Sequence, residues 1–304
     1  VISVLGNIET CDSKGLDLNE WIRQGIVDVL NVAIGMTYQV DQMGDFRPIV
    51  AAAKGSDCRI HASVSSSVHT DRISESPIEM IRAAACNYWE QGIDGLYITQ
   101  WFTNWPYKAS FYEKLREIPH PDIMASKDKN YRILTSSTPA SESADPQSGL
   151  QLPTILELNK RTPIQFTISD DLPRWDKVNR VHEVILRVFI RQTTELDQLS
   201  FKLNGKELPE TLLRKINQMY RMSSPRYRVF GYWFVFRLDS EHWPQKGNNT
   251  LEITLLERDP DVATDVTTQI RVRDVELETK YLMGKNFHRG YVDPDLGPYE
   301  HVVT

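Results

Sequence analysis

Apolar positions follow two different periods along this chain, and the change between them divides it. In the first part, short β-branched runs alternate with segments of helical period. Val1 to Asn7 reads as a short buried strand ending in Gly6-Asn7, followed by a loop from Ile8 to Gly15. Leu16 to Gln24 places Leu18, Trp21 and Ile22 on one side of a helix, and Gly25 stops it before a second strand, Ile26 to Val32. Phe46 to Lys54 reads as a short helix and Cys58 to Val64 as a third strand. The most complete unit comes next. Ser76-Pro77 supplies an N-cap and a first-turn proline, and Glu79 completes a capping box. Ile78, Ile81, Ala85 and Tyr88 or Trp89 recur at helical spacing, Gly92 suits a left-handed helix end, and Leu96-Tyr97-Ile98 is a fourth strand. A last helix lies near Ser110 to Glu117. Such alternation predicts a parallel sheet with helices outside it. Four units make half of an eightfold barrel or a small doubly wound sheet.

Ser136 to Gly149 (SSTPASESADPQSG) has no apolar period and reads as a linker. Beyond it the period becomes two. Ile164 to Ser169, Val181 to Arg191, Leu199 to Leu203, Arg228 to Leu238, Thr250 to Leu256 and Ile270 to Thr279 read as strands. Asn204-Gly205 is a two-residue hairpin signal, and Lys246 to Ile253 turns and then alternates. The fold class expected is therefore α/β plus all-β, the second part an antiparallel β-sandwich. Leu208 to Tyr220 (LPETLLRKINQMY) reads as a helical insertion within it, and the tail after Tyr281 lacks a period. The expected domains are 1–135, a linker at 136–150, and 151–304.

Composition narrows the function. The 304 residues are 40% hydrophobic and 25% charged, with a formal net charge of −6, which gives no electrostatic footprint for nucleic acid. No apolar run approaches the roughly 20 residues a membrane span needs. Cys11, Cys58 and Cys86 have no metal-ligand spacing and read as buried free thiols, and no cofactor is indicated. Phosphate loop, HExxH, serine elbow and CxxC patterns are absent from the sequence. Asn248-Asn249-Thr250 matches a short glycosylation sequon.

Gly15 to Val32 (GLDLNEWIRQGIVDVLNV) and Ser76 to Ile98 (SPIEMIRAAACNYWEQGIDGLYI) resemble stretches of bacterial family-10-like glycosyl hydrolases. In that family the first corresponds to the helix announcing the sixth barrel strand, the second to the helix and strand that close the barrel. LNGKEL and KGNNTLEITL resemble a galactose-binding-like or jelly-roll module. The likeness covers under half the chain. It implies a partial TIM (β/α) barrel, about half of one, followed by the sandwich. It also implies that the chain is part of a longer protein, secreted or periplasmic if a signal peptide precedes it, with the acid residue lying before Val1. The implied activity is acid/base hydrolysis of a glycosidic bond in a poly- or oligosaccharide. A non-catalytic carbohydrate-binding or surface protein with a degenerate barrel is the alternative, and a purely structural module is a third reading. Half a barrel leaves two strand edges unpaired, which invites self-association.

Glycosidic cleavage normally needs two carboxyl groups. Glu9 and Asp12, just after the first strand, are the best catalytic candidates; the bland alternative is a solvated loop in which Asp12 or Ser13 caps the next helix. The third strand ends in Ser63, Ser65 and Ser66, where many retaining barrel hydrolases carry a glutamate. Asn31 and His61, near the ends of their strands, could bind sugar hydroxyls or be satisfied core residues. Gln100, Trp101, Asn104 and Trp105 follow the fourth strand and could line a sugar subsite, with Tyr107 beside them; alternatively the rings pack under the linker or second domain. Asp94 precedes its strand and suits a turn. Asp170-Asp171 with Trp175 could form a calcium or sugar site, with an exposed turn the better reading. The aromatic run Phe230 to Phe236 suits core packing.

Overall fold

A computed structural model describes residues 1–34, 39–68, 76–99, 109–135, 150–217, 231–262 and 269–282. The first unit runs β1 (Ile2–Leu5), α1 (Ile8–Ser13), α2 (Leu18–Arg23), β2 (Val29–Ala33), α3 (Arg47–Ala53), β3 (Arg59–Ser65), α4 (Ile78–Trp89) and β4 (Gly95–Thr99). All four strands are parallel and lie in the order β1-β2-β3-β4. A doubly wound sheet reverses its strand order at a switch point, and this sheet does not. Nor does it close into a barrel among the described residues, where β1 and β4 are its edges. Strand alternation separates two faces. Val4, Leu30, Val32, Ile60, Ala62 and Val64 pack with Leu18, Ile22, Ile49, Ile81 and Ala85 in one core. Each fully buried Val, Leu or Ile side chain there contributes roughly 1.5–3 kcal/mol.

Local capping explains where the helices differ from expectation. The expected loop after β1 is α1, because Asn7 Oδ1 accepts the Thr10 N–H at 2.8 Å. Asp17, not Asp12 or Ser13, caps α2 by accepting the Glu20 N–H at 2.9 Å. The capping box at Ser76 does not form, since Pro77 holds the cap position of α4 and Ser76 Oγ is buried without a partner. Ser76 instead works through its main chain. Its N–H donates to Ser66 O at 2.7 Å and its carbonyl accepts from Lys114 Nζ at 2.8 Å. At the other end of the helix Gly92 takes φ +85°, as its position requires.

After α5 (Ala109–Glu117) and α6 (Pro121–Met124), β5 (Lys129–Arg132) pairs antiparallel with β14 (Arg271–Tyr281). A strand that precedes residue 135 thus already belongs to the second part. Its larger sheet is ordered β11 (Leu213–Asn217), β12 (Gly231–Leu238), β8 (Val181–Arg191), β14, β5, with β6 (Thr154–Ile155) also on β14. The smaller sheet is ordered β10 (Lys206–Glu207), β9 (Gln198–Leu203), β13 (Gly247–Glu257), β7 (Arg161–Ile168). Ile164, Phe166, Phe201, Leu251 and Ile253 of the smaller sheet share a core with Leu186, Val188, Phe234, Phe236 and Leu277 of the larger. Asn204 at φ 52° and Gly205 at φ 80° form the expected hairpin between β9 and β10. The expected helical insertion is different. Glu210–Leu212 is a single 3₁₀ turn, and Leu213–Asn217 pairs with β12 from Leu213↔Phe236 to Asn217↔Tyr232. Edge pairing and the packing of Leu212 and Leu213 on the core override helical period here. The linker at 136–149 and the tail from 283 lie outside the described residues.

A buried polar cluster ties β5 into this second part. Asp170, expected in an exposed turn, is only 2% exposed and receives Lys129 Nζ at 2.8 Å. Asp171 caps α7 (Leu172–Asp176) by accepting the Arg174 N–H. Between the two units, Asn87 of α4 donates to Gln42 O at 3.0 Å and to Thr167 O of β7 at 2.9 Å. Gln42 in turn donates to Met80 O and Asn130 O.

Candidate functional site

The face of the parallel sheet opposite the helices holds the candidate site. Register aligns Ser3, Asn31, His61 and Gly95 across the four strands. Toward the carboxyl end, Leu5 lies beside Ala33 and Ser63 beside Tyr97, and then Ser65 beside Thr99. From the Ser3 row onward these strand positions carry no charged side chain; Arg59 stands at the amino end. Asn31 is the floor of the face, 6% exposed, with Nδ2 3.4 Å from Ser3 Oγ and Oδ1 buried without a partner. Such an orphaned acceptor is uncommon in a folded protein. His61 is half-buried, whereas Tyr97 is 39% exposed and presents its ring. The arrangement offers serine, amide and imidazole hydrogen-bonding groups next to an accessible aromatic side chain.

The structure therefore brings Asn31 and His61 into one row. Asn31 sits in the middle of β2 and not at its end, and His61 is the third residue of β3. Glu9 and Asp12 are elsewhere: both are exposed on α1, and Asp12 faces the groove to α2 with Gly15, Asp17, Asn19, Glu20 and Arg23. The one strongly perturbed carboxyl of that groove, Glu20, is held down at about 2 by its hydrogen bonds from Arg23 and Gln24, so it is ionised and unsuited to donate a proton. Gln100, Trp101, Asn104 and Trp105 lie outside the described residues, as does Tyr107. Asp94 makes the expected turn contact, its Oδ2 accepting the Ile60 N–H at 2.8 Å.

Two residues escaped sequence reasoning. Tyr97 is one; strict alternation puts Leu96 toward the helices and Tyr97 away from them, so its exposure was legible in principle. Asp41 is the other. Burial pushes its carboxyl up to about 6, against the lowering effect of the Met43 N–H, and only the fold reveals that burial. Its carbonyl accepts from Tyr88 OH of α4, and the loop around it is held by Gln91, which accepts from Phe46 N and donates to Gly44 O. Asp41 thus lies against α4. The three cysteines are buried free thiols, with Cys86 pushed up to about 11 by burial, which keeps it protonated and unreactive. Among the described residues there is no group of three potential metal ligands, and no helix is long and apolar enough to cross a membrane.

No family model matches the sequence, and no curated protein matches it, so the resemblance to family-10-like hydrolases is not carried by a family match. Solved structures give similarities of low score. A β-porphyranase of glycoside hydrolase family 86 from Bacteroides plebeius is 12% identical, with a TM-score of 0.29 over 52% of this chain and 21% of that one. The catalytic unit of a family 87 α-1,3-glucanase from Streptomyces thermodiastaticus is 16% identical, with a TM-score of 0.24 over 55% and 26%. A two-domain esterase active on acetylated mannans is 6% identical, with a TM-score of 0.26 over 89% and 76%. The matched regions of the first two span 21% and 26% of their lengths. The first two are glycoside hydrolases and the third an esterase active on acetylated mannans, but similarity at these scores fixes neither the fold nor the activity of this chain.

Proposed function

We propose that this chain is the saccharide-recognising part of a glycoside-hydrolase-like protein acting on a poly- or oligosaccharide. The carrying observation is the polar layer Ser3–Asn31–His61, free of Asp, Glu, Lys and Arg, with the exposed Tyr97 beside it on the face of a sequentially ordered parallel sheet that is turned away from the helices. An arc of a (β/α) barrel has this strand order, and barrel interiors are ordinarily filled by branched apolar side chains. A layer of serine, amide and imidazole is instead suited to hydroxyl groups. A pyranose presents an apolar face that stacks on an aromatic ring such as Tyr97, while its hydroxyls both donate and accept. The antiparallel sheets form the accompanying sandwich.

Hydrolysis needs a proton donor and a second carboxylate about 5–9.5 Å apart across the scissile bond. Glu9 and Asp12, three residues apart on one helix, sit at roughly 5–6 Å between Cβ atoms, yet both belong to the helix layer. We therefore assign recognition to this chain and acid/base chemistry to the strands that would complete the arc. A non-catalytic binding protein is the second reading, favoured by the absence of any carboxylate from the strand rows around Asn31 and His61 among the described residues. Calorimetric titration with neutral oligosaccharides tests recognition, and Glu9→Gln and Asp12→Asn test whether turnover, where present, depends on α1. Loss of turnover in either variant would move those carboxylates into the chemistry.

A further inference from the structure

We propose that Gly95 is a positioning residue for His61, holding the imidazole where it can meet a neutral, hydroxyl-rich ligand; this rests on the saccharide-binding reading above. The two residues are register partners across β3 and β4. A Cβ built at position 95 would lie 2.8 Å from His61 Cδ2, 2.9 Å from Nε2 and 3.3 Å from Cγ. Side-chain carbons do not approach that closely, so the ring occupies the space that any other residue at 95 would fill. The backbone does not explain the glycine, since Gly95 is not among the residues with positive φ. Glycine inside a strand loses conformational entropy and packs nothing of its own, and it marks a place where another group comes close. Here that group is an imidazole.

The lean has a direction. His61 is paired with Asn31 on one side and Gly95 on the other. A ring lying over β4 leans away from β2, about 4.8 Å in the opposite direction, and so away from the Asn31 amide, which is itself buried. At that side lies the amide whose Oδ1 has no partner. A methyl group at 95 displaces the ring and moves it back toward Asn31. Because imidazole can swing about its own side-chain bonds, the fold accommodates the change while the ring's placement does not survive it.

The test uses the full chain with Gly95→Ala, His61→Gln and the double variant. Long-range proton–nitrogen spectra report the imidazoles of the seven histidines, with His61→Gln assigning the relevant signals. Binding is titrated calorimetrically with maltohexaose, cellohexaose, xylohexaose and mannohexaose. Gly95→Ala should melt with the wild type, shift the His61 ring signals and weaken binding roughly tenfold, the scale of one lost hydrogen bond. In the His61→Gln background the same change should have no further effect, because its action passes through the ring. Unchanged ring signals, or equal weakening in both backgrounds, would overturn the assignment. If the wild type binds none of the four sugars, the saccharide reading fails, and the ring signals alone decide whether Gly95 seats His61.

Discussion

Replacing Asp170 by alanine should cost about 4 kcal/mol of stability, and the geometry sets that figure. The carboxylate accepts from Lys129 Nζ at 2.8 Å and Tyr281 OH at 2.6 Å on one oxygen, and from Tyr131 OH at 2.7 Å and Thr279 Oγ1 at 3.1 Å on the other. The Lys129 and Asp170 side chains are 1% and 0% exposed, so water cannot substitute for either partner. Removing one member of such a pair leaves a buried charge uncompensated, at a cost of about 3–5 kcal/mol. Lys129 keeps the carbonyls of Ala125 and Lys127 at 3.2 and 3.1 Å, which soften the loss. Against a total stability of about 5–15 kcal/mol this is a large fraction. Urea denaturation followed by tryptophan fluorescence and circular dichroism measures it from the shift in midpoint at constant slope. Combining Asp170→Ala with Lys129→Met should recover part of the loss, since the stranded ammonium is gone. A cost below about 1 kcal/mol for Asp170→Ala, or a double variant less stable than the single one, would show that Lys129 is not stranded by the loss of Asp170.

Other consequences are more local. Burial raises the Asp41 carboxyl from 3.8 to about 6, so the folded state binds the proton more tightly than the unfolded chain, and stability present below the unfolded value is lost as pH rises through about 6. Asparagine at 41 keeps an acceptor for the Met43 N–H without the charge. Scanning calorimetry should show Asp41→Asn more stable than the wild type by about 3 kcal/mol near neutral pH and close to it below pH 4, whereas identical behaviour at both would contradict the assignment. Gly205→Ala, at φ +80° in the hairpin, should lower stability by about 1 kcal/mol in the same experiment without moving the core. The edges of the parallel sheet, β1 and β4, which pair with no further strand among the described residues, should make the protein associate as its concentration rises in sedimentation velocity. Leu5→Lys on β1, where Leu5 is 54% exposed, should reverse this; a wild type that stays monomeric throughout removes the edges as an interface.

Much of the architecture was legible because its signals are local. Gly92, the Asn204-Gly205 turn and the two-residue alternation of β8 and β13 each specify one backbone solution. The misread segments are those where a distant partner decides. Leu208 to Tyr220 has helical spacing, but β12 offers an edge that captures Leu213–Asn217. Ser76 sits at a helix start, yet Ser66 and Lys114, distant in sequence, take its main chain. Asp170 looks like a turn acid until β5 and β14 close over it. The candidate site was half visible. Asn31 and His61 are unusual polar residues inside apolar strands, whereas their register with Ser3 and Gly95 is a property of strand pairing that no single strand records.

In the proposed reading, the face of the parallel sheet turned away from the helices recognises neutral saccharide through Tyr97 and His61. Titration of the wild type, Tyr97→Ala and His61→Ala with the same four neutral oligosaccharides tests it most directly. The wild type should bind at least one sugar, and each variant should lose roughly tenfold or more in affinity, all three remaining folded. Failure of the wild type to bind any of them, or binding that is indifferent to both substitutions, would contradict it.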